Sequence, residues 1–234
     1  MQAVIDILQA TAVFVLGVGA RFGVVLLALL AVGLPVAAVA AVIRAAAARR
    51  EARLGLREVA GVPFRPALHL APGHVWLRAR GGGTVELGLD GIAQQLLPGV
   101  TAVEPVATGT RVEAGEPVAL LHAGERSVPL LAPVAGVVAG VNAAVLRDPA
   151  LVKRDGLAGG WVAALTPAGD GWLGLPTGDV AEAFTRRESL RFASFLEERL
   201  GLAAADGGAL VAPAPWLMGE DGWRKLVDSF LRPA

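Results

Sequence analysis

Cysteine and tyrosine are absent from this 234-residue chain, and lysine occurs only at Lys153 and Lys225. Without cysteine there is no disulfide, no thiol nucleophile and no thiolate-ligated metal, and the redox compartment cannot be read. With so little lysine, arginine carries nearly all the positive charge. Basic and acidic residues balance at 21 each, so no general attraction to nucleic acid is expected. Histidine is scarce too: His69, His74 and His122 are the full set, in no spacing such as His-Glu-x-x-His, so no metal site is expected. Gly81-Gly82-Gly83 lacks the Lys-Ser/Thr and helix of a phosphate loop and reads as a hairpin turn. No nucleophile elbow and no catalytic acid pair stands out. The chain therefore reads as a non-enzyme, with neither catalytic residues nor a cofactor site.

What is abundant lies at the N-terminus. Phe22 to Ile43 is an uncharged apolar run, long enough at ~1.5 Å per residue to cross a hydrocarbon core. Pro35 inside it is tolerable in a membrane helix. Arg44, Arg49, Arg50, Arg53 and Arg57 follow, against a single preceding arginine, Arg21. The positive-inside rule then puts the C-terminal side in the cytoplasm, anchored once in the inner membrane. A cleaved signal peptide is the competing reading, but its charges would stand at the other end. The histidines all lie outside Phe22–Ile43, so this run offers no histidine ligand to a haem or chlorin. Residues 1–20 read as an interfacial or partner-bound segment. The arginines, Arg49 and Arg50 among them, snorkel to lipid headgroups or pair with an acidic partner.

The organisation expected is residues 1–20 interfacial, 21–44 transmembrane, 45–67 a basic helix and a proline-containing linker, 68–172 a β domain, and 173–234 a helical extension. The β region shows short apolar strands punctuated by glycine turns, from His74-Val75-Trp76 to a last strand over Gly159–Leu165. Gly91 to Leu97 reads as a short helical turn stopped by Pro98-Gly99. Two apolar runs flank Gly124-Glu125-Arg126, which predicts a hairpin with these residues at its tip. Downstream, a helix from Asp179 to about Leu200 precedes a loop over Gly201–Pro215. A last helix follows, whose Trp223, Leu226, Val227, Phe230 and Leu231 make one apolar stripe. The stripe is expected to pack on the chain's own β domain, with a partner surface as the alternative.

Several ordered motifs carry a resemblance. Pro72-Gly73-His74-Val75-Trp76, Val85 to Gln94, Val112-Glu113-Ala114-Gly115-Glu116-Pro117, Leu131-Ala132-Pro133-Val134-Ala135-Gly136, Asn142 with Asp148-Pro149 and Leu151-Val152, and Gly160-Trp161 come in family order. Together, from about Leu68 to Asp170, they resemble the H protein of the glycine cleavage system, a lipoyl carrier. The resemblance implies a mainly β fold, the barrel-sandwich hybrid of lipoyl and H-protein domains, flanked here by an N-terminal transmembrane helix and C-terminal helices. It also implies a lipoylated lysine seven residues before Ala132, where this chain has Glu125. A register shift of one reaches Gly124 or Arg126 and restores no lysine. A carboxylate cannot form the lipoyl amide, and a guanidinium stays protonated and is a poor nucleophile. The carrier function therefore reads as lost, and fold alone does not restore it.

Three functions follow as expectations. The first is a non-catalytic, membrane-anchored accessory subunit whose domain docks on the cytoplasmic face of a larger membrane complex, photosynthetic or respiratory. Its partners are membrane lipid and other subunits, and its contact candidates are Glu125, Arg126, Arg49, Arg50, Trp223 and Phe230. Within the tip, Glu125-Arg126 reads either as a solvated pair or as a contact replacing the lost arm. The second is a lipoyl-carrier component of one-carbon and glycine metabolism. The third is a transport adaptor, against which the uninterrupted stretch from Val118 to Val134 argues.

Overall fold

A computed structural model of the chain describes residues 1, 11, 29, 31–200 and 219–232, without the side chains of 199 and 200. The expectations for residues 2–10 and 12–20, for the first part of the apolar run and for the loop from Gly201 lie outside these. The chain divides into two compact units, residues 1–53 and 54–234.

In the first unit the described helix α1, Ala31–Leu54, has a mean hydropathy of 1.9 and none of it is buried. Val32, Leu34, Val36, Val39, Val42 and Ile43 are all exposed. Among the described residues it is the one helix long and apolar enough to cross a membrane. Just past its end, Gly55 takes a φ of 64°, the left-handed conformation that closes many helices.

The second unit opens with β1, Arg57–Val59, and β2, Val62–Phe64, paired antiparallel. Ala60 and Gly61 both have positive φ, which suits a two-residue turn whose twist matches that of the strands. Val59, Val62 and Phe64 are buried. The segment from Gly61, expected as an extended linker or entry strand, forms a strand at Val62–Phe64, and Arg57, expected on the basic helix, instead opens the strand it pairs with.

A six-stranded antiparallel sheet follows, built from β3 (His69–Ala71), β4 (Val75–Gly81), β5 (Thr84–Leu89), β7 (Arg111–Val112), β10 (Gly136–Val141) and β11 (Ala163–Pro167). Its order is β3-β4-β5-β11-β10-β7. A three-stranded sheet, β6-β8-β9, comprises Ala102–Pro105, Pro117–Ala123 and Arg126–Leu131. Leu77, Val85, Leu87 and Leu89 of the larger sheet share one core with Leu121, Val128 and Leu130 of the smaller. Helix α2, Gly91–Leu96, is capped by Asp90, whose carboxylate accepts from the amides of Ile92 and Ala93. Trp76 faces Gly88 across β4 and β5, and a Cβ on Gly88 would stand 2.5 Å from the indole ring. The Trp76 indole N–H donates to the Gly156 carbonyl at 2.9 Å.

The segment after β10 holds two short helices, α3 (Ala143–Arg147) and α4 (Leu151–Arg154). Asn142 caps α3 and donates to the carbonyls of Gly159 and Trp161. With the Gly159 and Trp161 carbonyls turned to Asn142, the last strand is regular only from Ala163 and not from Gly159 as expected, although the Val162 backbone already bonds to Leu87 and Asn142.

Helix α5, Gly178–Leu200, leads toward α6, Glu220–Leu226, which runs on through a π turn, Val227–Leu231. The apolar stripe of that last helix is buried in the main core, together with Phe192 and Leu196 of α5. Its expected packing on the chain's own β domain is what the structure shows.

Candidate functional site

The hairpin of β8 and β9 closes through Gly124 and Glu125, with Ala123 opposite Arg126 and His122 opposite Ser127. Gly124 has a φ of 67° while Glu125 does not enter the left-handed region. A two-residue loop with glycine at its first position is the turn strand twist favours. Glu125 is exposed at the tip. Because side chains alternate along a strand, Arg126 shares a face with Ala123, Leu121 and Val128, and that face is turned to the core. The reading of Glu125-Arg126 as a solvated pair therefore holds for Glu125 alone. The Arg126 guanidinium lies 4.7 Å from the centre of the Trp223 ring. On the other face His122 Nε2 is 3.2 Å from the Glu104 carboxylate.

Of the residues singled out in the sequence, Arg126 meets Trp223, whereas Phe230, further along the same helix, packs against His74, Phe192 and Phe195. Glu125 points to solvent, and Arg49 and Arg50 lie on α1 in the first unit. The two lysines lie elsewhere. Lys153 donates to the carbonyls of Leu97 and Pro98, and burial pushes its ammonium below its ordinary value. Lys225 stands on α6. The tip therefore presents a carboxylate where an amide-linked lipoyl group would require an amine, and the residues present do not fit that group. Among the described residues no three His, Asp or Glu side chains cluster so as to hold a metal ion.

A second polar cluster was not anticipated. His74, 2 % exposed, places Nδ1 2.9 Å from Asp90 and Nε2 4.0 Å from Glu188 of α5. Burial alone would lower the imidazole's pKa; the charge and hydrogen bond of Asp90, with Glu188 behind, outweigh it and raise the value. The sequence signal was the pairing of His74 with Asp90, each at the turn that bounds its strand, but nothing in the spacing linked either to Glu188. Nearby, Arg78 forms a hydrogen-bonded ion pair with buried Glu86 and donates to the Ala158 carbonyl at 3.0 Å. Arg65 donates to the Leu157 carbonyl, and burial, then Arg78, hold its guanidinium below the usual range. These arginines tie the loop after α4 to the strands of the second unit.

The profile of the family described as "Glycine cleavage H-protein" matches residues 68–175. A glycine cleavage system H protein of Aliivibrio salmonicida is 33 % identical over 106 residues, covering 45 % of this chain and 84 % of that protein. That of Pseudoalteromonas atlantica is 34 % identical over 106 residues, covering 45 % and 74 %. A crystal structure of the Mycobacterium marinum H protein covers 53 % of this chain and 99 % of its own, at 25 % identity and a TM-score of 0.45. The β domain with its two-residue hairpin turn thus lies within a stretch whose relatives are matched over most of their length, while α1, β1, β2 and the C-terminal helices lie outside it. On that match the chain belongs to the glycine cleavage H-protein family.

Proposed function

We propose that this chain is a non-catalytic accessory subunit, anchored by α1 in the cytoplasmic membrane, that docks its H-protein-like domain on the cytoplasmic face of a multisubunit membrane complex. The observation that carries the reading is chemical. The turn that would hold an amine holds the exposed carboxylate of Glu125, and the next side chain, Arg126, packs on the chain's own Trp223. A domain so altered can hold partners but not ferry a group on a lipoyl arm. The exposed apolar side chains of α1 supply the anchor, and Arg44, Arg49, Arg50 and Arg53 at its end supply charge for anionic headgroups. A photosynthetic or respiratory assembly is the host in view.

Native membranes solubilised in mild detergent test this. Affinity capture of the full chain brings down the same set of membrane subunits under repeated washing. Recovery as a free monomer refutes the proposal.

Family membership favours a second reading, a lipoyl carrier in glycine and one-carbon metabolism. Intact-mass measurement separates the two: a lipoyl increment on any residue of the natively expressed chain establishes the carrier and removes the first reading.

A further inference from the structure

His74 is where the β domain and the C-terminal helices meet. Its φ of 58° is one that non-glycine residues seldom adopt, and its carbonyl accepts from the Asp90 amide at 2.9 Å. The β domain supplies His74 and Asp90. Helix α5 supplies Glu188, 7 % exposed, and Phe184, whose ring centre is 6.2 Å from that of His74. The last helix supplies Phe230, stacked on the imidazole at 6.1 Å with 24° between the rings. Arg191 joins the two helices: it donates to Glu188 at 2.6 Å and to the Ser229 carbonyl, and its guanidinium lies 4.5 Å from the Phe230 ring centre.

We propose that His74 is a proton-controlled latch for the C-terminal helices. With both ring nitrogens protonated it donates from Nδ1 to Asp90 and attracts Glu188 through Nε2; loss of the proton loosens α5 and α6, and with them Trp223 from Arg126 at the hairpin tip.

The charged groups that face the imidazole are Asp90 from the cap of α2, and Glu188 and Arg191 from α5. From the last helix the facing group is Phe230, which is uncharged. Arg187 lies 3.6 Å from Glu188 on its far side. Neutralising the imidazole leaves no carboxylate orphaned. Asp90 keeps the amides of Ile92 and Ala93, and Glu188 keeps Arg191. The loosening is therefore a shift in the packing of α5 and the last helix and not their release, because Phe192, Trp223 and Phe230 share the main core with the sheets.

The sign follows from the raised pKa. A histidine whose folded value exceeds its unfolded one contributes fully below the unfolded value and loses that contribution as pH rises through the folded one. The latch is closed on the acid side and opens on the alkaline side.

The test uses the full chain in detergent micelles, labelled with 5-fluorotryptophan and followed by fluorine NMR between about pH 6 and pH 10, a window that starts near the ordinary histidine value of about 6.5. The resonance missing from W223F is that of Trp223. It is expected to titrate once, with a midpoint above the ordinary histidine value, while the Trp76 resonance stays fixed. His74→Gln should abolish the titration. A flat Trp223 resonance, a titration unchanged in His74→Gln, or a Trp76 resonance that moves with it overturns the proposal. Should His74→Gln fail to fold, Glu188→Gln decides: the latch requires its midpoint to fall, and an unmoved midpoint refutes it.

Discussion

Replacing Phe230 by alanine asks whether the last helix belongs to the domain's core or merely rests on it. The ring is 2 % exposed. It meets Phe192 and Phe195 edge to face at 5.6 and 5.5 Å, and it stacks on His74. Truncating a buried phenylalanine costs about 3–5 kcal/mol through lost transfer energy and the cavity left behind. Edge-to-face pairs add about 0.5–1.5 kcal/mol each, which favours the upper half of that range. The contact with Arg191 adds little, because that side chain is half exposed. For a domain of this size 1 kcal/mol moves the midpoint by about 2–4 °C, so Tm should fall by roughly 8–20 °C. Near-UV circular dichroism of the full chain in micelles, followed through thermal unfolding, reads this directly. A fall smaller than about 2 °C would mean that the helix is not part of the cooperative unit, and the placement of Trp223 over Arg126 would fall with it.

Three further outcomes are expected. Asp90→Ala removes the cap of α2 and the acceptor of the buried imidazole, and should cost about 2–4 kcal/mol in denaturant unfolding at neutral pH; a loss below about 1 kcal/mol would deny the cap its role. Gly88→Ala drives a methyl into the Trp76 ring and should cost about 1–3 kcal/mol with a changed Trp76 fluorescence, whereas an unaltered emission spectrum would contradict the close approach. Glu125→Lys places an amine on the exposed turn; co-expressed with lipoate-attaching enzymes, the variant should gain a lipoyl mass that the wild type lacks, and an unmodified variant would show that the tip is no longer read as a carrier hairpin.

The sequence made the β domain legible because its turns are written in residues with one conformational use. Gly124 in the hairpin and Pro98-Gly99 after α2 mark where their elements turn or stop. The stripe from Trp223 to Leu231 was legible for a similar reason, since helical spacing puts all five apolar residues on one side. What stayed hidden depended on contacts distant in sequence. The prolines gave β2 away as extended chain, but its partner β1 was hidden behind the arginine-rich helical pattern and forms because Val59, Val62 and Phe64 are buried. The start of β11 was misplaced because Asn142, some twenty residues earlier, claims the carbonyls of Gly159 and Trp161. The meeting of His74 with Glu188 spans more than a hundred residues, and no local pattern announces it.

The shape of the turn at Gly124 and Glu125 has a bearing on the history of this chain. Glycine supplies the one unusual backbone angle, so the second position accepts any side chain without rearrangement. A glutamate codon differs from a lysine codon by a single base. The backbone therefore raises no obstacle to an amine at this position, and the choice between acid and amine there rests on the side chain alone.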